Sequence, residues 1–341
     1  MAAEEKLAPE VVADLKARAI SQPLVTDLYT ADPSAHVFEG KLYIYPSHDI
    51  DAGAAFDDDG GHFRMEDYHV LSMDTVGGPV TVHDVALHVK DVPWAASQMW
   101  APDAAHKNGK YYLFFPAKRA DGIFQIGVAV GDSPIGPFKP EPEAIKGSYS
   151  IDPAVFEDDD GQYYLYTGGL WGGQLQFYRN NQYDRNNQEP ADHEPALGPI
   201  IGRLSDDLTQ YAETPREVII LDENGEPIKA GDHDRRFFEA PWVHKYNGTY
   251  YLSYSTGNTH FLCYATSENP YGPFTYRGRI LEPVIGWTTH QSICEFQGQW
   301  YLFYHDSVHS EGITHLRTAK MTPLTYNPDG TIQTIVPYRD K

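Results

Sequence analysis

Three carboxylates stand near the start of copies of one repeated stretch of sequence. Asp32 opens DPSAHVFEGKLYIYPS, Asp152 lies in IDPAVFEDDDGQYYLYTG and Glu239 lies in FEAPWVHKYNGTYYLSYS. Two further copies, WAPDAAHKNGKYYLFFPA from Trp100 and HQSICEFQGQWYLFYHDS from His290, do not begin with an acid. A carboxylate that opens an apolar strand must be paired or put to use, because unpaired buried charge is costly. Asp-Pro, present at Asp32 and Asp152, is also an ordinary turn signal. Glu239 lies between Phe237-Phe238 and Pro241-Trp242, an apolar setting that raises a carboxyl pKa. Such a group suits proton donation to a leaving oxygen. An acid of this kind opposite an ionised carboxylate is the minimum apparatus for cleaving a glycosidic bond. Aligned on the repeat, the three acids are expected at equivalent positions.

The elements that must position them follow from the same repeat. Each copy is a short apolar run, a polar turn ending in Gly and an alternating aromatic run, the pattern of a β-hairpin. The turn glycines are Gly40, Gly109, Gly161, Gly248 and Gly298, so the gaps are 69, 52, 87 and 50 residues. A hairpin repeat averaging about 65 residues points to a propeller or array. A third strand is expected in each unit, at Val70–Asp74, Val128–Asp132 and Leu262–Thr266, with fainter versions at Ile201 and Leu316. Two of these lead into near-copies of one turn, DSPIGPF and ENPYGPF. The fold class is therefore all-β, a five-bladed β-propeller over 23–341. A short helical appendage occupies 1–22, its helix running from Pro9 to Ile20 with Val11, Val12, Leu15 and Ala19 on one face. The polar stretch 180–199 is expected as a long loop on the pit side or at an interface. The strand Thr331–Tyr338 could close the ring in more than one way.

Composition narrows the partners. A net charge of −22 argues against nucleic acid and against anionic membranes, and favours a neutral or cationic small ligand. Thirteen per cent aromatics, with 24 Tyr, suit both blade packing and stacking on sugar rings. Cys263 and Cys294 fall in strand-like contexts of different units, which suggests free buried thiols rather than a disulfide. No apolar leader is apparent and nothing reaches transmembrane length, so a cytoplasmic protein is the expectation. The acidic runs Asp57–Asp59 and Asp158–Asp160 lack the spacing of a calcium loop, and the second reads as a hairpin turn. Asp232–Arg236 reads evenly as a lining of the leaving-group side, a salt-bridged loop or an oligomer contact. A homo-oligomer is thus an open alternative.

The strings DPSAHVF, WAPDAA, SIDPAVFED, FFEAPW and HQSI, in that order, resemble glycoside hydrolase family 43 from about Asp27 onward. TADPSAHVF, IYPSHD, GGLWGGQ, GDHDRRFFEA and GWTTHQS bring the chain nearest to its divalent-metal-activated bacterial β-xylosidases. The resemblance implies a five-bladed propeller acting on xylosides and arabinosides with inversion. It implies that Asp32 is the general base activating water, Glu239 the general acid, and Asp152 the third carboxylate that orients and tunes the acid. It makes His290 a ligand of a divalent ion, calcium by expectation, and Arg317 an arginine that reaches the sugar. Trp100 would form an aromatic wall, with Trp171 and Gln174 shaping the pocket.

The resulting expectation is an exo-acting enzyme that releases xylose from the non-reducing ends of β-1,4-xylo-oligosaccharides, with α-L-arabinofuranosidase as a side activity. Alternatives are α-L-arabinofuranosidase as the main activity, or a non-catalytic sugar-binding propeller. The invertase-like fructosidases, also five-bladed, are disfavoured by Ala31-Asp32-Pro33-Ser34, which is not their Asn-Asp-Pro-Asn start.

Overall fold

The structure is a computed structural model that describes residues 6–340; residues 1–5, the start of the appendage, and Lys341 lie outside the described residues. Five antiparallel blades follow one another along the chain. Their innermost strands are Thr30–Phe38, Asp103–Lys107, Ala154–Glu157, Glu239–Tyr246 and Ser292–Phe296, and each pairs with the aromatic strand that follows its glycine turn. The third strands form as expected over Asp67–Met73, Phe124–Gly131, Ile200–Arg203 and Leu262–Ser267. In the last blade the third strand is Thr318–Pro323 and does not include Leu316. Leu316 sits in a turn closed by its N–H on the Ile313 carbonyl.

The tyrosine content has a packing reason. Tyr45 of blade one donates its hydroxyl to the Pro134 carbonyl, and Tyr166 of blade three donates to the Pro270 carbonyl, each at 2.6 Å. Pro134 and Pro270 lie in the two near-copies of one turn, DSPIGPF and ENPYGPF. Each turn thus docks onto the preceding blade through a tyrosine whose ring fills the interblade core and whose oxygen satisfies a carbonyl.

One register detail corrects the sequence alignment. A β-bulge interrupts the first blade between Ala31 and Ser34 and the fourth between Glu239 and Trp242. Ala31 faces Ser47 and Glu239 faces Ser255, so Glu239 is the counterpart of Ala31 and Ala240 that of Asp32. The backbone agrees: Asp32, Asp152 and Ala240 share a left-handed φ of +47°, +55° and +61°. The glutamate therefore stands one residue earlier on its strand than the aspartates do. An alignment on acidic character alone misses this, because the bulge swings the Asp side chains to where the longer Glu reaches from the preceding position.

Ring closure uses the N-terminal segment. Pro23 bridges Lys320 in antiparallel fashion, and the Leu24 N–H donates to the Ala319 carbonyl, adding an edge to the three-stranded last blade. The C-terminal stretch lies instead along blade four, where Ile335 bridges Leu281 in parallel. The helix is Pro9–Arg18, shorter than expected at its end, because Ala19 turns extended and bridges Tyr338. Val12 and Leu15 bury against Val308, whereas Val11, expected on the same face, points to solvent.

At this seam the buried Lys320 ammonium meets Asp306 at 2.5 Å, and the Tyr338 hydroxyl donates to the same carboxylate at 2.8 Å. Removing one partner of such a pair costs roughly 3–5 kcal/mol, because the other charge is left uncompensated. Lys320→Met is expected to lower the urea-unfolding free energy by about that amount, and Lys320→Met/Asp306→Leu to recover most of it. Equal losses in the single and double variants would refute the pairing account.

Candidate active site

The inner ends of the blades surround an open pit, about 680 Å³ with the solvent at its mouth, lined by Asp32, Trp100, Asp152, Trp171, Glu239, His290 and Arg317 among the expected site residues.

Asp32 is a buried carboxylate with a dedicated counter-charge. Burial by itself would raise its pKa, but Arg317 Nη1 donates to Oδ1 at 2.9 Å and Ser47 Oγ donates to Oδ2 at 2.6 Å, and the net result is about 2. Nearby His290 and His305 are pushed down by their own burial, to about 4 and about 3, so both are neutral near pH 7. The charge that keeps Asp32 ionised there is Arg317. The guanidinium is in turn gripped by Asp49, with Nε to Oδ2 at 2.8 Å and Nη2 to Oδ1 at 2.7 Å. Its plane lies 4.8 Å from the Phe63 ring. Arg317 was expected to reach the sugar; its hydrogen bonds go chiefly to these carboxylates, with one to Thr288 Oγ1 at 3.1 Å.

Glu239 and Asp152 form an electrostatically linked pair. Burial first and Asp32 second raise Glu239 to about 8; burial and then Glu239 raise Asp152 well above the ordinary carboxylate range. Asp152 Oδ2 accepts the Ala240 N–H at 2.9 Å, which favours its anion. Among the described residues no donor is bonded to Glu239. The Ala240 N–H favours the anion on Asp152 and no such donor favours it on Glu239, so a proton held by the pair is favoured on Glu239, in the same pit as the ionised Asp32. Asp152 is thereby tied to the backbone of the residue that follows Glu239.

The walls are aromatic. Trp100 Nε1 donates to the Phe63 carbonyl at 3.0 Å, and its ring packs on Phe124. Trp171 holds a left-handed φ of +52°, donates to Glu189 at 2.6 Å and abuts Phe238 and Trp287. Glu189 belongs to the 180–199 stretch, which thus braces the pit wall as expected of a pit-side loop. Gln174 does not line the pit: its amide ties the Phe124 N–H to the Gly122 carbonyl, so its part is structural. Asp232–Arg236 is a salt-bridged loop, with Arg235 on Asp232 and Glu223 and with Arg236 buried over Phe238. The acidic run Asp57–Asp59, read from sequence only as lacking the spacing of a calcium loop, contributes Asp57 and Asp58 to the pit lining, with Gly60 beside them.

His290 takes the position in blade five that Asp32 takes in blade one, with Nδ1 at 3.5 Å from Asp32 and 3.9 Å from Asp152. Being neutral, it can offer a lone pair to a cation. Among the described residues no three His, Cys, Asp or Glu ligand atoms converge there, so His290 is the one imidazole of the pit floor open to such an ion. Sequence reasoning missed Asp49, Phe63, His62, Trp287 and Thr288. Asp49 lies in IYPSHD, and Trp287 and Thr288 in GWTTHQS, strings that stood out without any role attached to those residues.

Comparison with known proteins gives a consistent picture. The model for the glycosyl hydrolases of family 43 matches residues 25–332. A xylosidase/arabinosidase, 43A, of Humicola insolens is 60% identical over 92% of this chain and 99% of its own length. Among solved structures, CoXyl43 is a β-xylosidase/α-arabinofuranosidase from a compost microbial metagenome, in complex with xylotriose and in calcium-free form. It is 65% identical with a TM-score of 0.93, covering 94% of this chain and 98% of its own. The GH43_1 enzyme of Xanthomonas citri complexed with xylose is 64% identical with a TM-score of 0.94, covering 98% of both chains.

Arg317→Met strands Asp32 and Asp49 as buried charges, at a cost of roughly 3–5 kcal/mol near pH 7. Because its folded pKa lies below its unfolded one, Asp32 contributes stability above about pH 4, lost as pH falls toward 2. The stability gap between wild type and variant should shrink across that window in urea titrations. A gap independent of pH would contradict this assignment.

Proposed function

The chain belongs to the glycosyl hydrolases of family 43, and from that premise we propose that it cleaves xylose from the non-reducing ends of β-1,4-xylo-oligosaccharides, with α-L-arabinofuranosides as second substrates. One observation carries the reading: an Arg317-bound, ionised Asp32 and a proton-bearing Glu239 line the same pit. The pit's walls of Trp100, Trp171, Phe63 and Trp287 offer faces to a pyranose or furanose ring. The names of the Humicola and metagenome enzymes pair xyloside with arabinoside activity, which supports the same pairing here.

In this reading Asp32 takes a proton from the attacking water while Glu239 gives one to the departing oxygen, a single displacement with inversion at the anomeric carbon. Asp152 keeps negative charge beneath the acid, which resists loss of the Glu239 proton before the bond breaks. His290 would hold a calcium-like divalent ion, whose positive charge would steady the anionic floor of the pit. Two free thiols, Cys263 buried and Cys294 partly so, suit a reducing, cytoplasmic setting, to be checked by fractionation of the native host.

Glu239→Ala should slow xylobiose hydrolysis by about 10²–10⁴-fold. A dinitrophenyl xyloside, whose leaving group needs no proton, should be much less affected, whereas Asp32→Ala should cripple both. Equal losses of Glu239→Ala on the two substrates would remove it as the acid. Proton NMR of the xylose first released from nitrophenyl β-D-xylopyranoside should show the α-anomer; initial release of the β-anomer would overturn the inverting mechanism.

Glu239 loses its proton as pH rises through about 8, so kcat/KM for xylobiose should hold through neutrality and then fall about tenfold per unit above that point. The alkaline limb should be absent for the dinitrophenyl substrate. Its persistence there would mean another group titrates.

A further inference from the structure

One cluster of metal-ligating side chains lies outside the catalytic constellation. His48 ends the strand Lys41–His48, and Asp67 and His69 open the next strand, Asp67–Met73. The strands are antiparallel, which brings the end of one beside the start of the other. Asp67 and His69, two residues apart, share a face. Ligand atoms of the three side chains all lie within 4.8 Å of one another. Asp67 Oδ1 is 2.5 Å from His48 Nδ1 and 4.0 Å from His69 Nε2, and each side chain keeps 18% exposure, enough for an ion to enter.

The second observation concerns the tautomer of His69. Its Nδ1 is 2.8 Å from the His83 carbonyl, which can only accept, so Nδ1 carries the proton. The lone pair of neutral His69 is then on Nε2, facing the Asp67 carboxylate. These two acceptors, 4.0 Å apart, leave a gap that a cation can bridge, and the 2.5 Å His48–Asp67 hydrogen bond would give way to it. An imidazole held by a backbone carbonyl is also the common outer support of a metal-bound histidine. His83 is itself fixed, its Nε2 2.8 Å from Ser72 Oγ, so the support does not depend on the cluster.

We propose that His48, Asp67 and His69 form a second cation site, separate from His290, that takes a zinc-like divalent transition ion completed by water. Two imidazoles and one carboxylate match zinc, cobalt or nickel, whereas calcium asks for six to eight oxygens. Occupancy would tie two strands of blade one together immediately before Asp49, the residue that grips Arg317. Its effect is on the stability of that blade rather than on the chemistry.

The test is a cobalt titration of the chelator-stripped full-length protein, read by visible absorption, with zinc competition. One equivalent of cobalt should bind to wild type and to His290→Asn. In His69→Asn, whose amide can still donate to the His83 carbonyl, its affinity should fall at least about tenfold. Asp67→Asn gives the same comparison if that variant misfolds. Zinc should raise the melting temperature of wild type and His290→Asn but not of His69→Asn. If cobalt binding is unchanged in His69→Asn and Asp67→Asn, or is lost only with His290, the cluster is a proton-bridged hydrogen-bond network and the proposal fails.

Discussion

Arg317 carries a full positive charge in a place where only 2% of the residue is exposed, and it can do so because two carboxylates share it. Asp49 takes the fork of the guanidinium and Asp32 takes the remaining nitrogen. Neither acid could remain ionised at that depth alone, since each would face the full desolvation penalty. The arrangement also joins the ends of the ring, because Asp32 and Asp49 belong to blade one and Arg317 leads into the last strand of blade five. A single guanidinium thus ties a charge state to the closure of the fold.

The remaining acids obey the complementary rule. Glu239 is raised first by burial, with nothing comparable to Arg317 bonded to it, and then by the negative charge that Asp32 places in the pit. Two carboxyl groups of similar intrinsic acidity are thereby driven in opposite directions, one to about 2 and the other to about 8. The difference lies in their partners rather than in their chemistry. Asp152, bonded to the Ala240 N–H, is likewise raised by burial and then by Glu239, so the two buried acids oppose each other's ionisation.

The propeller supplies this asymmetry through a symmetric device. Each inner strand begins at an equivalent turn, and in blades one, three and four the backbone there is left-handed, a conformation that costs of order 1–3 kcal/mol outside glycine. The strain aims side chains down the common axis. Blades one and three place Asp at this position, blade five places His290, and blades two and four place Ala101 and Ala240. In the last two the residue before the alanine, Trp100 or Glu239, reaches inward instead. Repetition of the backbone with variation of one or two residues is how five similar units build one site.

The five-unit repeat, the all-β architecture and the concentration of acids at strand starts were legible because period-two alternation and glycine turns are local properties, readable one hairpin at a time. The apolar neighbours of Glu239 were equally local. What could not be read was anything set by contacts between blades: the one-residue offset of Glu239, which depends on a bulge; the capture of Arg317 by Asp49, 268 residues away in sequence; and the pit-side placement of the Asp57–Gly60 turn. Sequence by itself determined which residue types open each blade. Tertiary structure decided their protonation, because burial and the distance to a counter-charge exist only once the ring has closed.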